Sequence, residues 1–333
     1  MVLIEGDFVE TIEKLIFDVK GLVHPPDRVI AYVRYVPDTR GDRVKSGVKY
    51  RKIYSLAERE NFLKTNFPHY LYRDPVYNAL LQAVPLDRIL KVYKPSERLK
   101  ELLKTHELDS VEESALELAL SIKEESGIQL ESVGVTGSVL VGLHREDSDL
   151  DLVVVGEREG RRVYEAMRSL FEKGIVQRYD LESLWKLYEF RSRDTPMRFK
   201  DFVEIEKRKV LQGLLRGRDF YIRLVKKPEE YGEKYGDRVY APVGYARVKA
   251  RIVDARDSIF TPCRYTVEVL EGDSRVEEMA SYRGRFCEVA REGEIVEARG
   301  KLEKIIDKKR GIYYRLLLGS SREDYIILLK STT

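Results

Sequence analysis

Hydrophobic and polar positions change period several times along the chain, and each change predicts an element. Over the first 75 residues, short runs of β character, KLIFDVKGLV and RVIAYVRYV, alternate with the turn signals Pro25-Pro26, Pro37-Asp38 and Gly41-Asp42, which predicts a small sheet region. From Tyr77 apolar residues recur at three-to-four spacing through YNALLQAVPLDRIL and again through SERLKELLKTH, the period of amphipathic helices. Ser110, ahead of Val111-Glu112-Glu113, reads as an N-cap with acids in the first turn. The helix it opens has the stripe Ala115, Leu118, Ala119 and Ile122 and reaches Gly127.

Glu131 to Gly137 reads as a strand and Asp149 to Val155 as another, followed by a helix from Arg161 to Lys173. Further helix is predicted in LESLWKLYEF and FVEIEKRKVLQGLL, ended by Gly217, and then the strand DFYIRLV. Past Lys227 the Gly- and Tyr-rich YGEKYGDRVYAPVGY leads into evenly spaced β-like runs closed by Gly300, Gly311 and Gly319. These predict a small barrel of the OB type. The division expected is an N-terminal α+β region over 1–109, a central domain with a helical insertion over 110–238, and a β-barrel over 239–333, an α+β chain in all.

Composition narrows the picture. Of 333 residues, 35% are charged, yet the net charge is only +3, so any nucleic-acid contact must come from local patches. Scarce Asn and Gln beside abundant Glu, Lys and Arg is the profile of a thermophile protein. With no apolar run of about 18 residues and acids at the N-terminus, the expectation is a cytoplasmic protein with no membrane partner. Cys263 and Cys287 lack zinc-site spacing and read as buried free thiols.

The stretch GVTGSVLVGLHREDSDLDLVVVG, Gly134 to Gly156, concentrates the chemistry. Alternation along its last strand puts Asp149 and Asp151 on one face, about 7 Å apart at their Cα atoms. Paired carboxylates raise each other's pKa or demand a hard cation such as Mg²⁺. Gly137 and Ser138 stand at a strand-to-helix turn, where backbone N–H groups and a hydroxyl can hold phosphate oxygens.

A Gly-Ser pair followed by Asp149-Leu150-Asp151 leading into an apolar strand resembles the signature of the polymerase-beta-like nucleotidyltransferase superfamily. The chain as a whole resembles an uncharacterised archaeal group of predicted nucleotidyltransferases. The resemblance implies a palm in which Gly137 and Ser138 bind a nucleoside triphosphate while Asp149 and Asp151 ligate two Mg²⁺ ions. It also implies a third acid from a later strand, catalytic with the other two and a metal ligand. Asp219 is the choice, because Asp219, Tyr221 and Arg223 share the polar face of DFYIRLV; Asp201, Glu204 and Glu206 compete from a run with helical period. Arg145 and Arg223 are candidates for neutralising pyrophosphate.

The flanks bear on the acceptor. RGDRVKSGVKYRKIY interleaves Arg40, Arg43, Lys45, Lys49, Arg51 and Lys52 with Tyr50 and Tyr54, as a phosphate-tracking segment or a mobile loop would. In the barrel, Tyr313 and Tyr314 lie beside Lys308-Lys309-Arg310, either as a stacking surface for single strands or as one inward and one outward tyrosine next to a charged turn. His24 and His144 read as hydrogen-bonded structural residues. The leading expectation is nucleotidyl transfer to RNA or another single-stranded nucleic acid. The alternatives are transfer to a small-molecule or protein hydroxyl, and a non-catalytic nucleic-acid-binding scaffold.

Overall fold

The structure, a computed structural model, describes residues 2–329. The chain divides into two compact units. One comprises the residues up to Pro75, Ala79–Gln177 and Leu211–Tyr235; the other comprises Val76–Asn78, Arg178–Val210 and the residues from Gly236 on. The helical insertion thus groups with the C-terminal strands, and the N-terminal region groups with the central domain.

In the first unit an antiparallel sheet is built from β1 (Phe8–Thr11), β2 (Ile16–Val19), β3 (Arg28–Pro37), β4 (Arg43–Lys45), β5 (Val48–Lys52), β6 (Leu71–Asp74), β7 (Ala79–Pro85) and β8 (Ile89–Tyr93). Its order is β4-β5-β3-β2-β1-β8, with β7 pairing both β3 and β6. Two helices join it, α1 (Leu56–Asn66) and α2 (Pro95–Leu102). The helix expected from Tyr77 is therefore corrected to two strands. Pro85 interrupts the run and would remove a helical hydrogen bond, whereas β7 finds a partner on each side, Ala83 opposite Ile30 and Leu81 opposite Tyr72. Gln82 is buried there and accepts the Val33 N–H at 3.0 Å. Long-range pairing has overridden a local period.

The rest of this unit comprises α3 (Ser110–Ser126), β9 (Val133–Val135), α4 (Gly137–Leu140), β10 (Leu150–Val155), α5 (Glu157–Glu172), β11 (Gln212–Leu215) and β12 (Arg218–Val225). The sheet order is β11-β12-β10-β9, and β10 runs parallel to β12. The N-cap of α3 is Asp109 rather than Ser110: its carboxylate accepts the Val111 and Glu112 N–H groups, and Glu112 reaches back to complete a capping box. Ala115, Leu118, Ala119 and Ile122 are all fully buried, and Gly127 ends the helix at φ +61°. The helix expected through Leu215 stops earlier. Gln212–Leu215 is a strand that turns into β12 through Arg216 and Gly217, with φ of 50° and 79°, the left-handed pair that a two-residue hairpin requires.

In the second unit, α6 (Leu181–Arg191) and α7 (Phe199–Glu206) accompany β13 (Arg238–Asp254), β14 (Cys263–Gly272), β15 (Val276–Ser281), β16 (Ile295–Asp307), β17 (Gly311–Leu317) and β18 (Tyr325–Leu329). The order β13-β14-β15-β17-β16 closes on itself through a β13–β16 pairing, and β18 lies on β16. Ile252, Tyr265, Met279, Leu302 and Leu316 fill the ring, and Ile205 of α7 joins that core. Cys263 and Cys287 are buried free thiols in the same cluster. The molecule is mixed α+β, and among the described residues no helix is long and apolar enough to cross a membrane.

Candidate active site

β10 is flanked by β9 and β12, so Asp151 does not lie on an edge strand. Leu150 pairs with Phe220 and Asp151 with Tyr221. Leu150 and Phe220 are buried on one face of the sheet. The alternation that sends them inward puts Asp149, Asp151 and Asp219 on the opposite face, at the starts of two parallel strands. Protein crowded around Asp149, then the charges of Asp151 and Asp219, raise its carboxyl to about 6, with Lys52 opposing. The three expected carboxylates are thus neighbours.

Gly137 starts α4 at φ +66°, a conformation that side chains resist. A Cβ there would stand 2.2 Å from the Asp151 Oδ2 and 2.9 Å from its Cβ. The glycine is required by the carboxylate beside it. Thr136 holds the approach: its N–H donates to the Asp151 carbonyl at 2.8 Å, and its hydroxyl donates to the Gly6 carbonyl at 2.7 Å. Ser138 is buried directly after Gly137. The turn into β10 is closed by Ser148, whose hydroxyl accepts the Arg145 N–H at 2.9 Å, and Arg218 donates to the Glu146 and Ser148 carbonyls.

Between β9 and β10 a Gly-Ser helix start is brought against Asp151, with Asp149 and Asp219 close by on the same face. Residues 116–211 match the nucleotidyltransferase domain family, and the uncharacterized protein MJ1086 of Methanocaldococcus jannaschii is 32% identical over 329 residues, 96% of each chain. The chain belongs to the nucleotidyltransferase domain family. No solved structure matches it. It is a nucleotidyltransferase, and domains of this family usually use divalent metals.

The other expected residues of this nucleotidyltransferase lie as follows. Arg145 is held by Asp42 at 2.5 Å and Asp147 at 2.7 Å. Arg223 pairs with the buried Glu5 at 2.9 Å. Asp201, Glu204 and Glu206 belong to the second unit. Glu206 is buried between Arg191 and Lys209. Asp109, Glu112 and His144 also cluster. Their geometry is accounted for by the capping box, with His144 Nε2 2.7 Å from Asp109 and Arg98 donating to Glu112.

Sequence reading missed what the N-terminal sheet does. Arg43 is buried and donates to the Leu143 carbonyl, while Lys45 donates to the Val141 carbonyl at 2.7 Å. The β4–β5 hairpin is thereby stitched to the segment between Ser138 and Asp149. Lys52, on β5, lies within electrostatic reach of both Asp149 and Asp151. Burial and the neighbouring Arg34 hold its ammonium down at about 8, against the pull of Asp151.

Proposed function

We propose that this nucleotidyltransferase transfers a nucleoside monophosphate from a nucleoside triphosphate to an acceptor hydroxyl on nucleic acid, with divalent metal bound by Asp149, Asp151 and Asp219. The observation that carries the reading is the convergence of three carboxylates on one face, beside a glycine where any side chain would collide with Asp151. The donor set suits a hard cation: all ligands are carboxylate oxygens, and burial, with repulsion from Asp151 and Asp219, holds Asp149 near 6 where a bound cation would favour its charged form. Bound there, Mg²⁺ would lower the pKa of the acceptor hydroxyl and offset triphosphate charge.

The chain's own residues do the rest. Gly137 and Ser138 offer backbone N–H groups and a hydroxyl to the phosphates, and the positive φ of Gly137 turns that backbone toward Asp151. Asp219, exposed at the strand start, takes the acceptor side. The hydroxyl oxygen bonds to the α-phosphorus in line as the bond to the pyrophosphate oxygen breaks, and the hydroxyl proton leaves toward the carboxylates.

Support for a nucleic-acid acceptor comes from the closed five-strand ring of β13 to β17, which we read as OB-like, an architecture that binds oligonucleotides. A second reading, transfer to a small-molecule or protein hydroxyl, is favoured by one observation: the barrel's surface cations have acids of their own. Arg247 pairs with Glu297, Lys249 with Glu271, Arg251 with Glu268 and Arg310 with Glu277. Tyr313 is buried on Tyr240 and Ile305, while Tyr314 packs on the barrel core.

The test is calorimetric titration of the four ribonucleoside triphosphates, with and without Mg²⁺, into the native chain and into Asp149→Ala/Asp151→Ala. Metal-dependent binding that the double variant loses is expected; absence of binding to the native chain refutes the proposal. Adding labelled single-stranded RNA or DNA then separates the acceptor readings, since affinity for strands should fall steeply with salt.

A further inference from the structure

Many cations in this protein are paired, but Lys52, beside the carboxylates, and its neighbour Arg34 are not. Arg51 is typical: it reaches Asp38 at 3.0 Å and Glu58 at 2.5 Å. Arg34 on β3 and Lys52 on β5, half-buried on neighbouring strands, form no ion pair with any described residue. Instead both lean on one exposed ring, with the Lys52 Nζ 5.1 Å and the Arg34 guanidinium carbon 5.7 Å from the centre of Tyr54. They also repel each other, and Arg43 adds a third positive charge near Lys52.

Asp149, Asp151 and Asp219 likewise form no ion pair. Lys52 feels Asp149 and Asp151 electrostatically without coming within 4 Å of either, and Arg34 stands next to Lys52. Flexible lysines close such a gap when nothing else needs it; here the β4–β5 hairpin that carries Lys52 is fixed to the palm by Arg43 and Lys45. Like charges gathered around Lys52 and opposite charges on Asp149 and Asp151 suit an anion on the first side and a cation on the second. A metal-bound polyphosphate has both.

We infer that Lys52 and Arg34, backed by Tyr54, form the phosphate-holding wall of the active site, so that the N-terminal sheet supplies the counter-charge for the incoming triphosphate. The inference rests on the nucleotidyltransfer reading above. The phosphate chemistry is shared by the triphosphate and by an acceptor backbone, and the assignment is to the triphosphate.

The experiment titrates Mg²⁺ with nucleoside triphosphates, the matching nucleosides, inorganic tripolyphosphate and a short single strand into the native chain, Lys52→Met, Lys52→Arg and Arg34→Gln, with apo thermal unfolding of each. Loss of a hydrogen bond to a charged group should weaken triphosphate and tripolyphosphate binding about tenfold or more in Lys52→Met and Arg34→Gln. Nucleoside binding should stay unchanged, and Lys52→Arg should recover most of the loss. Apo Lys52→Met should unfold at the native temperature or above, since it removes an unpaired, crowded cation; a purely structural lysine would lower it. Native triphosphate affinity in Lys52→Met and Arg34→Gln overturns the inference and leaves the proposed function standing, as does weakening confined to the single strand. A native chain that binds no triphosphate overturns both.

Discussion

Gly137 and Gly142 offer a matched pair for weighing the contact on which the active site depends. Their φ values are +66° and +65°, but a Cβ on Gly137 would meet the Asp151 side chain, whereas one on Gly142 would meet nothing within 4 Å. Alanine at either position bears the left-handed backbone penalty of about 1–2 kcal/mol. Only Gly137→Ala adds the collision. The Oδ2 could rotate away, but the Asp151 Cβ, 2.9 Å from the new atom, is fixed by a central strand paired on both sides. The backbone must then shift, at a cost of about 1–3 kcal/mol. Gly137→Ala should therefore be less stable than Gly142→Ala by that amount, about 2–4 °C per kcal/mol for a unit of this size. Differential scanning calorimetry reads the difference, and metal-dependent triphosphate titration on the same samples should show binding lost in Gly137→Ala and kept in Gly142→Ala. Equal stability and equal binding in the two variants would refute the claim that Gly137 is required by Asp151.

Three further predictions follow from charge and burial. Asp149→Asn should raise the unfolding temperature at pH 7 while abolishing Mg²⁺-dependent triphosphate binding. The fold keeps the Asp149 proton to about 6 where the unfolded chain releases it near 3.8, so ionisation opposes folding above that window; a lower unfolding temperature would count against it. His24 is held neutral, its Nε2–H donating to the Leu3 carbonyl at 3.0 Å and its Nδ1 accepting the Ile30 N–H at 3.2 Å. Burial lowers it from 6.5 to about 4, so its contribution, about 3 kcal/mol at most, is present in full above pH 6.5 and is lost as pH falls toward 4. Urea unfolding of native and His24→Gln across that range should show the native chain alone losing this increment. Arg315→Met should destabilise the second unit by about 3 kcal/mol, read by thermal unfolding, because it leaves the buried Glu303, now 2.9 Å from both Arg315 and Lys301, with one cation in place of two.

The grouping of the three candidate acids was legible because strand alternation is local: Leu150 and Leu152 inward force Asp149 and Asp151 outward, and Phe220 and Ile222 do the same for Asp219. The barrel strands were legible for the same reason, with turns marked by glycine. Where the reading failed, the deciding partner was distant in sequence. β7 had helical spacing, yet β3 and β6 claimed it. The strand at Gln212–Leu215 was hidden in a helical run, and only its pairing with β12 distinguishes it. The basic segment from Arg40 to Lys52 read as one patch, whereas the fold divides it: Arg43 and Lys45 bind the carbonyls of Leu143 and Val141, Arg51 pairs with Asp38 and Glu58, and Lys52 lies within electrostatic reach of Asp149 and Asp151. The alternation of β5 hints at this division, but nothing within it points to partners a hundred residues away.

That division bears on why the palm is joined to an N-terminal sheet at all. A triphosphate and three carboxylates together carry more negative charge than a metal pair offsets, so the site needs protein cations as well. The arginines nearest the palm's acids are already engaged: Arg145 by Asp42 and Asp147, Arg216 by Glu117, Arg218 by two carbonyls and Arg223 by Glu5. Releasing any of them would break an ion pair or hydrogen bond already made. Lys52 and Arg34 form no ion pair that would have to break first. The cations free to meet a triphosphate thus come from the N-terminal sheet, whose hairpin is anchored to the same segment that links Ser138 to Asp149. On this argument the sheet is part of the catalytic unit, and binding strength should follow Lys52 and Arg34 rather than Arg145 or Arg223.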